Sequence, residues 1–245
     1  MLTLGYVAMN TMLKAAAISR VNHGTPVKPP AKVSIIMPVW KEPDEFLEAA
    51  LKSLREQNVV KAFPKMFEII VVGNYFNTNI ARKYADRIII MSEGKLKARD
   101  YAIRNASGEI IVSVDGDCVY PPNWLNEVLK PFHDPRVVGV ATPTDYGAID
   151  ILFKIPANWV YSNKMLGRGS AFRKSAYLKV GRFPYINEKV LTTNQISLIE
   201  EYGIMQRLKQ VGKVVFVDAP HVHLGEQLLE GRGFEARGIP HSERR

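Results

Sequence analysis

Cysteine is almost absent: Cys118 is the only one in 245 residues. No intrachain disulfide can form, which fits a reducing, cytoplasmic setting. No stretch of eighteen uninterrupted apolar residues occurs, so no transmembrane helix is expected. Acidic side chains are also short, 24 against 33 Lys and Arg, for a net charge of +9. That surplus suits an anionic substrate, nucleic acid or an acidic membrane surface and does not choose among them. Nucleic acid is the least expected of the three, because the chain lacks both a Cys/His finger spacing and an Arg-rich helix with interleaved aromatics. No repeat of about 20–50 residues is visible, and no glycine-rich phosphate loop follows the first apolar run.

Apolar residues, by contrast, make up 47% of the chain, enough for one large α/β domain or a domain with a small appendage. Residues 1–31 form the appendage. Leu2, Tyr6, Met9, Leu13 and Ala17 fall on one helical stripe, and Lys14 is the sole charge before Arg20. The segment lacks the basic start of a signal peptide. Three uses remain open for the stripe: a peripheral contact with the inner face of a membrane, packing on the domain, or pairing in a homodimer. Val21–Ala31, with Gly24, Pro26, Pro29 and Pro30, is a linker. Residues 32–223 are the globular domain, and 224–245, rich in Gly, Arg and Glu, a flexible basic tail.

Val33–Met37, closed by Pro38, predicts the first strand. Asp44 or Glu45 opens a helix with Phe46, Leu47, Ala50, Leu51 and Leu54 on one face. Strands follow at Phe67–Val72, Arg87–Met91 and Glu109–Val114, separated by helices over Thr78–Ala85 and roughly Leu96–Ala106. That alternation predicts a parallel sheet with right-handed crossovers. Beyond Asp117 the regularity falls. Pro122–Leu129 is helical, with Trp124, Leu125, Val128 and Leu129 inward. Strands are expected at Val137–Ala141, Ser170–Arg173 and Val214–Val217, and helices at Lys174–Val180 and Glu200–Val211. Gly147–Gly167 is aromatic-rich without a clear period.

The most informative stretch is Asp115-Gly116-Asp117, directly after the β-branched run Glu109–Val114. Such a run suits a strand buried on both faces, and ligands of open α/β sheets bind outside the carboxyl ends of the strands. Asp-x-Asp there can hold a hard divalent cation, and the cation a diphosphate. The same residues could be a plain hairpin turn, since Asp-Gly favours one. An EF-hand is excluded, because its third acidic residue and its glycine are missing. Cys118 follows at once; with no His adjacent it reads as a small apolar residue entering the loop.

Five blocks in order resemble family 2 glycosyltransferases of the GT-A fold, over about Lys32 to His223. They are Val33-Ser-Ile-Ile-Met-Pro-Val-Trp-Lys-Glu42; Lys97-Ala-Arg99 through Gly108-Glu-Ile-Ile-Val; Asp115-Gly-Asp117 with Pro121 and Trp124-Leu125; Gly169-Ser-Ala-Phe-Arg173 with Val180-Gly-Arg-Phe183; and Glu200-Glu201 before Arg207-Leu208 and Gly212. The resemblance implies a single α/β domain with a Rossmann-like, mostly parallel central sheet flanked by helices. Its nucleotide-binding half is 32–118 and its acceptor half 119–223. It also implies a metal-dependent, hexosyltransferase-like enzyme that uses a nucleotide-diphosphate sugar and Mn2+ or Mg2+. The acceptor would be a glycan, a lipid-linked molecule or a protein, and transfer would invert the anomeric carbon.

The resemblance also assigns roles. Asp117 falls to the metal, and Asp115 to the metal set, through the ribose or a metal-bound water. Lys97 and Arg99 are candidates for the diphosphate, although Arg99 on a solvated helix face is equally compatible with its spacing. Pro38, Val39, Trp40 and Glu42 would line nucleobase and ribose; Trp40 could equally be a core aromatic. The second strand departs from the family by ending Gly73-Asn74 without a carboxylate, which leaves Asn74 as the hydrogen-bonding group there. Glu201 holds the place of the general base that takes the acceptor proton, and Glu200 and Glu201 point about 100° apart on a helix, so one alone can face a site. His223 is the candidate metal or phosphate ligand of His221-Val222-His223, whose rings would share one face of a continued strand; His221 reads as a surface histidine. Two other functions fit fewer of these features: a metal-dependent nucleotidyltransferase, and a catalytically silent module that binds sugar nucleotides or glycans.

Overall fold

The computed structural model describes residues 24–142, 169–181 and 203–224. The stripe in Met1–Ser19, the segment Gly147–Gly167, Glu200, Glu201 and the tail from Gly225 lie outside the described residues. Of the linker, residues 24–31 are described and carry neither helix nor strand.

The first part of the described chain, up to Val114, alternates strand and helix. It comprises β1 (Val33–Trp40), α1 (Asp44–Arg55), α2 (Asn58–Ala62), β2 (Phe67–Asn74), α3 (Thr78–Tyr84), β3 (Arg87–Ile90), α4 (Lys95–Asn105) and β4 (Ile110–Val114). Then come β5 (Cys118–Val119), α5 (Trp124–Leu129), β6 (Val137–Ala141), β7 (Gly169–Arg173) and α6 (Lys174–Val180). Helical residues 203–209 (α7), β8 (Lys213–Phe216) and β9 (Val222–His223) complete the described chain. Seven strands form one sheet in the order β3-β2-β1-β4-β7-β6-β8, and β5 and β9 form a separate two-stranded ribbon. β1, β2, β3 and β4 pair in parallel, as do β6 and β8; only β7 runs antiparallel to its neighbours β4 and β6. The mostly parallel sheet expected from the sequence is present.

Both faces of the sheet are covered, which is why its strands are apolar without alternation. Val33, Ile35, Met37 and Val39 of β1 point to one face with Ile69, Val71, Ile110 and Val112, under Leu47, Leu51 and Leu54 of α1 and Trp124 of α5. Ile36, Ile70, Val72 and Ile111 point to the other, under Leu96, Ala102 and Ile103 of α4 and Leu208 of α7. Fully burying one such side chain contributes about 1.5–3 kcal/mol.

Two strands outrun their expected ends. β1 continues through Pro38 to Trp40, and β2 through Gly73 to Asn74. Pro38 does not stop β1 because β4 pairs with it only from Val33 to Ile36, so beyond that point no ladder partner on that side needs a donor. Gly73 holds φ 150, and a Cβ there would stand 1.9 Å from the Val39 carbonyl oxygen. Only glycine lets β2 run so close to β1 at that point. Chain order places β2 and β3 on one side of β1 and β4 on the other. The carboxyl ends of β1 and β4 therefore flank a topological switch point, the crevice where such sheets take ligands.

Candidate active site

β4 delivers Asp115 to that crevice. Its carboxylate accepts from Arg99 Nη2 at 2.7 Å and from Lys95 Nζ at 3.1 Å, while its backbone N–H reaches the Tyr120 hydroxyl at 3.3 Å. Arg99 is buried, and burial pushes its guanidinium down against the opposing pull of Asp115. Burial likewise lifts the Tyr120 phenol well above its ordinary value. Lys95 and Arg99 are four residues apart on α4 and so share a face. The candidate Lys97 is two residues from Arg99, faces elsewhere, and reaches Glu93 at 3.5 Å. The basic partner beside Arg99 is thus Lys95, which the i, i+4 spacing alone could have identified.

Asp117 meets a different set. Its Oδ2 stands 3.1 Å from His223 Nε2, and its backbone oxygen accepts from Leu224 N at 2.8 Å. Burial works to raise the Asp117 carboxyl, but the hydrogen bond and charge of His223 outweigh it and hold it below its usual range. The ribbon makes this meeting possible: Cys118 pairs with His223 and Val119 with Val222, antiparallel. Among the described residues, Asp117, Cys118 and His223 offer ligand atoms within 4.8 Å of one another. Cys118 therefore does have a histidine beside it, supplied by a strand distant in sequence. Asp115 falls outside this group; its two oxygens are turned to Arg99 and Lys95. An imidazole and a carboxylate at hydrogen-bond separation fit a divalent cation between them.

His221 corrects the sequence reading. It is fully buried, stacked on Tyr120 at 5.2 Å and edge-on to Trp124 at 6.1 Å. It packs against Gly169, where an added Cβ would stand 2.4 Å from its ring, whereas His223 meets Asp117. Trp124 Nε1 donates to Ala219 O at 2.9 Å and anchors this approach.

On the β1 side, Trp40 is half exposed rather than a core aromatic, 49% accessible, with Tyr75 edge-on at 5.1 Å. Lys41 and Tyr75 follow the paired strand-end residues Trp40 and Asn74, and both take φ 57. Matching left-handed turns outside β1 and β2 thus raise an aromatic pair over the crevice, with Lys41 Nζ 5.7 Å from the Tyr75 ring. Asn74 caps the turn by accepting from Tyr75 N at 2.9 Å. Tyr75 had no sequence signal beyond following Asn74. Glu42 accepts from Trp40 N, and its side chain would be 3.4 Å from a Cβ on Gly116, so it lies against the Asp115–Asp117 turn. Burial, opposed by backbone hydrogen bonds and reinforced by Asp117 and Asp115, raises Glu42 to about 7.

The arrangement is a crevice with a carboxylate–imidazole pair that could hold a cation, a basic cluster on α4 and an exposed aromatic pair. The general-base candidate Glu201 lies outside the described residues. Residues 34–191 match the profile described as glycosyl transferase family 2. A hyaluronan synthase of Streptococcus pyogenes is 28% identical over 120 residues, covering 43% of this chain and 28% of that protein. An N-acetylglucosaminyltransferase of Bradyrhizobium elkanii is 29% identical over 115 residues, covering 43% of this chain and 62% of that protein. The chain thus spans less than two thirds of the length of either relative. Among solved structures, the mannosyltransferase of Pyrobaculum calidifontis in complex with GDP-mannose and Mn2+ superposes with a TM-score of 0.61 at 19% identity, covering 91% of this chain and 66% of that one. That likeness establishes a GT-A glycosyltransferase fold. By the extent of the profile match, the chain belongs to glycosyl transferase family 2.

Proposed function

We propose that the chain is a glycosyltransferase that moves a sugar from a nucleotide-diphosphate donor to an acceptor hydroxyl with inversion, using Mn2+ or Mg2+. The observation that carries this reading is the Asp117–His223 pair, 3.1 Å apart beside the β1/β4 switch point. A divalent cation there would neutralise the diphosphate charge that grows as the sugar leaves. Asp117 and His223 would hold it. Lys95 and Arg99 orient Asp115, and Lys95, the more exposed of the two, can also meet the diphosphate. Trp40 and Tyr75 offer apolar faces to a nucleobase, and Pro38, Glu42 and Asn74 border the ribose and base positions. Glu201, one turn or less before the helical residues 203–209, would take the acceptor proton. The stripe in Met1–Ser19 and the charge of +9 support approach to an anionic membrane surface.

Donor turnover with Mn2+, Mg2+ and chelator, beside Asp117→Asn, tests the reading. Chelator should abolish transfer, and the variant should lose several kcal/mol of transition-state stabilisation, about a thousandfold in rate. Full activity under either condition overturns the metal role. Release of pyrophosphate instead of a nucleoside mono- or diphosphate would mark a nucleotidyltransferase.

A further inference from the structure

Cys118 sits in the same cluster as the proposed cation pair, and the ribbon is what puts it there. It is the direct antiparallel partner of His223. Directly opposed residues of an antiparallel pair project to one face, with Cβ atoms about 4.5–5.5 Å apart. The thiol is buried, and Sγ lies 3.6 Å from Asp117 Oδ1, while His223 Nε2 lies 3.1 Å from Asp117 Oδ2. Ligand atoms at roughly 2.0–2.3 Å from a tetrahedral Zn2+ stand roughly 3.3–3.8 Å from one another. The Asp117 carboxylate thus faces the thiol with one oxygen and the imidazole with the other, and one ligand atom from each of the three residues lies within 4.8 Å of the others.

We infer that Cys118 is a third cation ligand and lets the site take Zn2+ in addition to the Mn2+ or Mg2+ of the proposed reaction. The inference rests on the reading of Asp117 and His223 as the pair that holds a cation. Coordination exchanges the S–H bond for a sulfur–metal bond and sends the proton to solvent, with no oxidation or reduction. One sulfur, one imidazole nitrogen and one carboxylate oxygen suit a borderline-soft ion, whereas Mg2+ and Mn2+ favour oxygen donors. Three protein ligands also leave a fourth tetrahedral position open, as in zinc sites that take a further ligand. The buried network behind the ribbon keeps the cysteine in place: the Tyr120 N–H, two residues on, donates to Ser53 Oγ at 3.2 Å, and its ring packs against Trp124 at 4.4 Å in a tilted pair.

The test uses the full chain stripped of metal, together with Cys118→Ser and Cys118→Ala. Co2+, as a spectroscopic stand-in for Zn2+, is titrated optically, Zn2+ by competition with it, and Mn2+ by paramagnetic resonance. A sulfur-to-cobalt charge-transfer band should appear in the unsubstituted chain and vanish in both variants. Zn2+ affinity should fall at least about tenfold in the variants while Mn2+ affinity changes by less than about twofold. Mn2+ binding without the band, or Zn2+ and Mn2+ affinities falling in parallel, overturns the role of Cys118 and leaves the Asp117–His223 pair standing. Failure to bind any of the three ions overturns both. Thermal melting checks the variants; where neither folds, the band in the unsubstituted chain decides alone, its presence for the inference and its absence against.

Discussion

Glu42 packs an ionisable carboxyl beside two others, and burial, more than that crowding, raises it toward neutrality. Its folded value of about 7 stands above its ordinary 4.5, chiefly through burial. The folded chain therefore keeps a proton that the unfolded chain has released. Stability from this group is complete below about 4.5 and is lost as pH rises through about 7. Asp117 works in the opposite sense, since its folded value is lowered, so the effect of Glu42 is read by difference. Melting temperature measured from acid to neutral pH should fall more steeply for the unsubstituted chain than for Glu42→Gln. Parallel profiles would remove the proposed shift. At this scale the sequence was most legible where a residue acts with its chain neighbours. Asp115 and Asp117 were legible as a contiguous motif, and Arg99 came from the family resemblance; the structure pairs Arg99 with Asp115. His221 was misread and Tyr75 passed over, because burial and exposure there depend on where a distant strand begins and on left-handed turns that composition does not announce.

Helix α4 and the loop from Tyr120 to Leu125 show what individual elements contribute. The two lysines of α4 are separable, since Lys95 meets Asp115 and Lys97 meets Glu93. Lys95→Ala should weaken donor binding about tenfold, in line with the loss of one charge-assisted hydrogen bond, and Lys97→Ala should leave it nearly unchanged. Equal losses in a donor titration would contradict the helix register drawn here. The loop depends on Gln57, which is buried, donates to Tyr120 O at 3.1 Å and Pro121 O at 2.7 Å, and accepts from Leu125 N at 2.8 Å. Gln57→Met would strand two carbonyls and an N–H. With about 1–3 kcal/mol for each unsatisfied group, denaturant unfolding should show a loss of at least about 3 kcal/mol. Most helices and the inner strands were foreseen nearly to their ends because their apolar period marks them, but the short α2 was not. The extensions of β1 and β2 were not, since Pro38 and Gly73 ordinarily end strands and are tolerated only where the neighbouring ladder has stopped or the backbones approach closely.

For the molecule as a whole, among the described residues no helix is long and apolar enough to cross a membrane. Contact with lipid would thus fall to Met1–Ser19 and the basic residues Lys14, Arg20, Lys28 and Lys32, each adding about 1 kcal/mol at an anionic surface. In co-sedimentation with anionic liposomes, the full chain should pellet in a salt-sensitive way and a chain starting at Val21 should stay in the supernatant. Identical, salt-insensitive recovery of both would remove the membrane reading. The architecture of β1 to β4 was legible because β-α alternation is written in consecutive segments. The antiparallel insertion of β7 and the β5–β9 ribbon were not, because they join segments with no local signal of their partner.

That ribbon also sets a timetable. Asp117 and Cys118 leave the ribosome long before their partner His223, with about a hundred residues still to be made. At about 5–20 residues per second the gap is about 5–20 s. Throughout it the strands β1 to β4 and their helices are all available to fold. The cation pair cannot exist until β9 arrives. Under the proposed reading, a cation that needs both Asp117 and His223 would bind only after β9 has been made, well after the strands β1 to β4.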